Sequence, residues 1–316
     1  MEDVIVSVEN GRIAGQKEKD YKGGKFYSFC GIPYAKAPVG HLRFKAPVPL
    51  EPWTGIWNGK KEGPACPAKL QTCLSIGKED NCLHMNIFTK ELPKHQPIKN
   101  PVMVFLYGGG FMLGSNHRII YGPEYLLTEN IVLVVVNYRI GVLGLFHKAI
   151  MQSGSAFNPW ARGRRNALDI AKAMGYKDTD EKIILQKLQN ASIRSLMDAQ
   201  YMTDCCLPKT FDAAQVRPFG PVIEYPHPGA LLSEDPEEIM KSGRCHQIPI
   251  MMGFNSLEGL FYGFTRSLTS VPPLSQSLER DIPYDWNISQ KPGLIQDAVK
   301  KIKEFYFGDA DISEEN

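Results

Sequence analysis

The run Val102-Met103-Val104-Phe105-Leu106-Tyr107, apolar and rich in strand-forming residues, breaks into Gly108-Gly109-Gly110 and then Phe111. A buried strand ending in three glycines brings bare backbone N–H groups to one point in space, because glycine has no Cβ and reaches φ values that other residues avoid. Two such amides can hold the negative oxygen of a tetrahedral intermediate, and one donor of this kind is worth about 3–4 kcal/mol to the transition state. A bare tight turn is the plainer reading, but the position directly after an apolar strand favours the catalytic one. A dinucleotide-binding fingerprint needs Gly-x-Gly-x-x-Gly opening a long helix, and that spacing is absent. The segment points to hydrolysis of esters or amides.

Composition removes other classes of function. Thirty-six basic and 34 acidic residues leave a formal net charge of +2 over 316 residues, with no electrostatic case for nucleic acid or an anionic membrane. The apolar run Ile131 to Val136 is far too short to span a bilayer. The opening Met1-Glu2-Asp3-Val4 has neither a basic nor an apolar leader region, which predicts a cytoplasmic protein. Seven cysteines at irregular spacing make neither a dense disulfide scaffold nor a zinc site. Buried thiols are the plainer reading for most of them, and no metal or cofactor is expected. The sequons at Asn190 and Asn287 carry no weight without secretion.

Hydrophobic patterning predicts an α/β protein. Val4 to Val8 and Arg12 to Gly15 flank Asn10-Gly11, a strong hairpin signal. Phe26 to Phe29 and His84 to Phe88 read as further strands, and residues 43–67, rich in Pro, Gly and Trp, as an ordered irregular layer. Val102 to Tyr107 and Ile131 to Tyr138 are continuous apolar runs, which predicts burial on both faces in a central, mostly parallel sheet with helical cover. Helices are expected over 166–174, 181–188, 193–202 and 294–305, with a short strand over 248–253.

An oxyanion hole implies a nucleophilic serine on a Gly-x-Ser-x-Gly elbow between strand and helix. Each pair of glycines four apart encloses Ile13, Trp57, Lys61, Met112 or Phe261 at its centre, never serine. Ser153 and Ser155 are weak fallbacks, since they lack the flanking glycines that permit a strained turn. Glu258 follows the short strand, where it could be a catalytic acid or an exposed helix-cap residue. No histidine follows His246, so none lies beyond Glu258 in the chain order that a triad of this architecture uses. All seven histidines read best as surface or packing residues.

Several segments together resemble the type-B carboxylesterase and cholinesterase family, and most of all its insect α-type esterases. They are YGGGF from Tyr107, NYRIGVLG from Asn137, FCGIPYA from Phe29, PVGHLRF from Pro38 and EDNCL from Glu79. FHKAIMQSGS from Phe146 and NSLEG from Asn255 complete the series in the family's order. The resemblance implies an α/β-hydrolase fold that hydrolyses small hydrophobic carboxylic esters through a Ser–His–Glu triad, without a cofactor. Carried over by position, Gly109 and Gly110 are the oxyanion donors, Glu258 is the triad acid, and Cys66 and Cys82 form a disulfide.

The same resemblance marks a departure. In the family a long segment carrying the elbow serine and its strand separates the GVLG and FHKAI motifs, whereas here Gly144 joins directly to Leu145-Phe146. A parallel crossover needs about 30 residues. Residues 1–316 are therefore expected to form a single incomplete domain with a deletion junction at 144/145, without the elbow strand and without the later part that carries the triad histidine. The expected function is that of a carboxylesterase-family serine hydrolase impaired or inactive in this form. A non-catalytic protein of the same fold, sequestering esters or binding another protein, is the alternative.

Overall fold

Asn10 sits in the tight turn that closes the first hairpin, and Gly11 pairs back to Val8. The structure is a computed structural model describing residues 3–68, 81–92, 100–140, 161, 163, 166–205, 219–226, 230, 232–244, 253, 256, 278–282 and 291–310. Its strands are β1 (Asp3–Val8), β2 (Gly11–Lys19), β3 (Lys25–Pro33), β4 (Ile56–Asn58), β5 (His84–Thr89), β6 (Val102–Leu106) and β7 (Val132–Val136). Their order across one sheet is β1-β2-β3-β5-β7-β6, with β4 beside β2.

The sheet is mixed, not mostly parallel. Among the described strands only β6–β7 and β2–β4 run parallel; β1–β2, β2–β3, β3–β5 and β5–β7 are antiparallel. Tight connections force β1, β2 and β3 into a meander. The parallel β6–β7 pair has the longer crossover, residues 107–131, that such a pair requires. An apolar run reports that a strand is covered, but not the direction of its neighbours.

Alternation along β3 assigns the two faces. Phe26 and Cys30 pack with Phe88 of β5, Leu133 and Val135 of β7, and Leu127 on one side. Phe29 and Ile32 pack with Ile13, and around them lie Tyr27, Trp53, Trp57, Met85 and Ile87 on the other. The phase changes at a β-bulge between Phe29 and Ile32. Gly31 makes the bulge possible with φ +60°, since a Cβ there would strike the Lys61 carbonyl and lie 2.9 Å from the Gly63 nitrogen. The Cys30 thiol is free, and burial pushes its pKa up to about 12, so it stays protonated.

β7 alternates, with Leu133 and Val135 buried between half-buried valines. The expected burial of β6 on both faces is not found. Val102, Met103 and Val104 are 63%, 43% and 41% exposed. Among the described strands β6 lies last in the sheet with one neighbour, so no described strand flanks it on the other side.

The helices are α1 (Arg118–Tyr121), α2 (Ala167–Ala173), α3 (Glu181–Asn190), α4 (Ile193–Cys205), α5 (Pro236–Lys241) and α6 (Pro292–Phe307). Asp180 caps α3 by accepting from Lys182 N at 2.8 Å. Its far end is closed by Arg43, whose Nη1 donates to the carbonyls of Gln189 at 3.1 Å and Ala191 at 2.5 Å. The chain divides into two compact units, residues 1–150 with 166–203, and residues 151–165 with 204–316. The first holds the sheet, α1–α3 and α4 as far as Thr203, and the second holds α5 and α6. The expected strand residues 248–252 lie outside the described residues.

Candidate functional site

Tyr107 anchors the glycine loop. Its ring is buried and stacks on Tyr138 with centroids 4.4 Å apart. Each phenol donates to the other residue's backbone carbonyl, Tyr107 Oη to Tyr138 O at 3.3 Å and Tyr138 Oη to Tyr107 O. This reciprocal pair ties the end of β6 to the segment after β7. Burial raises the pKa of both phenols and pushes Tyr34 up to about 12, so all three remain neutral donors at physiological pH.

Beyond Tyr107 the backbone leaves the ordinary regions. Gly109 has φ +148°, Gly110 φ +57° and Phe111 φ +63°. The carbonyl of Gly109 accepts from Met112 N at 3.0 Å and Leu113 N at 3.3 Å, folding the loop back on itself. A Cβ on Gly109 would overlap the Leu113 carbonyl. Gly114 lies so close to the Tyr107 ring that a Cβ would sit 2.5 Å from Cδ2. The N–H groups of Gly109 and Gly110 donate to no acceptor among the described residues, and both residues are partly exposed. A bulky residue in the left-handed region costs about 1–3 kcal/mol, and such strain persists where the surroundings over-determine it.

Those surroundings are three buried asparagines. Asn137 Oδ1 accepts from Asn116 N at 2.8 Å, and Asn137 Nδ2 donates to Pro64 O at 3.0 Å. Asn116 Nδ2 reaches Val135 O at 3.2 Å, and the Asn116 backbone carbonyl accepts from Asn86 Nδ2 at 3.1 Å. Asn86 Oδ1 in turn accepts from Gly31 N at 2.9 Å, linking the bulge of β3 to the loop after β6. Tyr34 Oη closes the network by donating to Asn137 O at 2.7 Å. Sequence reasoning missed Asn86 and Asn116. The available signal was a lone amide inside the apolar strand HMNIF, where a buried polar group needs partners.

Cys66 and Cys82 are joined in a disulfide with a Cα–Cα distance of 4.9 Å. The bridge packs with Leu83, Tyr107 and Ile140 in a cluster that also takes in Leu113 of the glycine loop. Of the histidines, His84 is buried on β5, where burial lowers its pKa, and its Nδ1 has no partner. His117 Nε2 lies 3.2 Å from the Gly63 carbonyl. Glu258, Ser153, Ser155 and the 144/145 junction lie outside the described residues. Among the described residues no group of three or more metal-ligating side chains comes together, and no helix is long and apolar enough to cross a membrane.

Comparison with known proteins places this geometry in a lineage. A profile described as the Carboxylesterase family matches residues 2–145 and again 143–316, two pieces that meet at the end of the NYRIGVLG segment. Esterase E4 of Myzus persicae is 30% identical over 386 residues, covering 98% of this chain and 67% of its own length. A juvenile hormone esterase of Heliothis virescens is 26% identical, with 96% and 66% covered, and Esterase B1 of Culex pipiens 28%, with 100% and 70%. The chain thus spans about two-thirds of the length of these relatives. In three dimensions it is similar to the juvenile hormone esterase of Manduca sexta, solved with OTFP covalently attached. That match has a TM-score of 0.81 and 25% identity, covering 99% of this chain and 72% of the other. The mixed sheet with its helices is an α/β-hydrolase fold, and the chain belongs to the carboxylesterase family.

Proposed function

We propose that this chain is a carboxylic-ester hydrolase by descent that retains the oxyanion hole but lacks the covalent step. Gly109 and Gly110 would donate their unengaged N–H groups to the carbonyl oxygen of a small hydrophobic ester. The observation that carries this reading is the glycine loop itself, strained, anchored on both sides and with two backbone donors that have no acceptor among the described residues. By position in the family's pattern Glu258 is the triad acid.

The missing step has support in the sequence. No serine stands between glycines in the elbow spacing anywhere in the 316 residues. The alignment with Esterase E4 runs over 386 residues, so at least 70 of its positions (386 less 316) face no residue of this chain. The two-piece profile match meets at residues 143–145, which favours a loss at the 144/145 junction. Without an attacking hydroxyl the donors can polarise an ester, but no acyl-enzyme forms, and the residual rate comes from binding and the hole alone.

A fluorophosphonate probe, read beside p-nitrophenyl acetate turnover, tests this directly. The expected result is no covalent label and turnover close to the uncatalysed rate. A stoichiometric adduct on Ser153, Ser155 or any other serine overturns the reading.

A further inference from the structure

We infer that the outer edge of β6 is a homodimer interface, at which a second copy of this chain continues the sheet by antiparallel pairing of β6 with β6. Among the described strands β6 lies last in the sheet, with β7 as its one neighbour, in parallel register from Val102↔Val132 to Leu106↔Val136. No other strand pairs with its outer edge among the described residues, and none of its five residues has a further hydrogen bond. Among the described residues, then, a row of backbone N–H and C=O groups stands unpaired beside exposed Val102, Met103 and Val104.

Sheet edges that must stay alone usually carry a charge, an internal proline or a bulge. Residues 102–106 carry none of these. Their pattern is also self-complementary. In an antiparallel register centred on Val104, Val102 faces Leu106, Met103 faces Phe105 and Val104 faces its own copy, so every cross-strand pair is apolar and no like charges oppose. A contact of this kind is isologous. It uses the same edge on both copies and stops at two, whereas pairing β6 onto the distant β1 edge would grow open-ended. The inference is independent of the catalytic reading, because it uses no residue of the glycine loop.

Sedimentation velocity on the full chain at micromolar concentration reads the outcome. The expected species is a dimer of twice the 35.4 kDa chain mass. Val104→Lys and Val104→Glu place like charges opposite each other at the twofold axis. Each alone is expected to be monomeric, with the dissociation constant raised at least about tenfold and the circular dichroism unchanged. An equimolar mixture of the two variants is expected to restore the dimer, which also demonstrates that both are folded. A monomeric wild type, an open-ended polymer, variants that stay dimeric, or a mixture that stays monomeric would each overturn the proposal.

Discussion

Asn137 shows how much of the glycine loop is held by groups that never touch it. Its side chain accepts from Asn116 N and donates to Pro64 O, and all three asparagines of the network are essentially without solvent contact. Asn137→Ala leaves the buried N–H of Asn116 unpaired, at a cost of about 1–3 kcal/mol, and strands the partly buried Pro64 carbonyl as well. Urea denaturation should show that loss as a lower midpoint with an unchanged slope, whereas a neutral result would mean the network is not a support. At this scale legibility was uneven. Gly109 and Gly110 stood out because three successive glycines after an apolar run have few explanations. Asn86 and Asn116 did not, because the groups they bond come from β3, β5, β7 and the loop near Pro64, far apart in the chain.

The ion pair from β2 to α1 shows how elements separated by a hundred residues are joined. Arg118 of α1 meets Glu18 in a bidentate pair at 2.8 Å through Nη1 and Nη2, and also reaches Glu124 at 2.8 Å. Partial burial acts to raise the Glu18 pKa. The hydrogen bonds from Arg118 and Ser28 and the Arg118 charge together outweigh it, so the carboxyl is held below its usual value. Folded Glu18 thus binds a proton more weakly than unfolded Glu18. Its contribution to stability is complete above the ordinary carboxylate range and is lost as the pH falls through the lower folded value. Glu18→Gln should therefore destabilise at about pH 7 and make little difference at about pH 3, as read by thermal melts. An equal effect at both pH values would argue against a charged pair. The elements themselves were legible. Six of the seven strands named from patterning form, the seventh (248–253) lying almost wholly outside the described residues, and helices form over 167–173, 181–190, 193–205 and 292–307. Strand direction was not legible, and neither was the exposure of β6, because both depend on which neighbour the chain brings alongside.

For the molecule as a whole, the disulfide acts most on the unfolded state. Linking Cys66 to Cys82, 16 residues apart, closes a short loop in the unfolded chain, and a loop of that size is worth about 3 kcal/mol. The double variant Cys66→Ala/Cys82→Ala should lose roughly that much stability in denaturant melts. A loss near zero would mean that the apolar cluster around Tyr107 holds these segments unaided. Membership in the carboxylesterase family was legible from ordered motifs along the chain, and the two-piece profile match agrees with it. The sequence by itself determined the elements, the glycine loop and the lineage, because periodicity, turn chemistry and motif order are local properties of the chain. Only the tertiary structure decided that the sheet is mixed, that three buried asparagines join in one network, and that β6 lies last among the described strands. Those outcomes turn on which distant segments share a hydrogen bond or a face, and no local pattern encodes that choice.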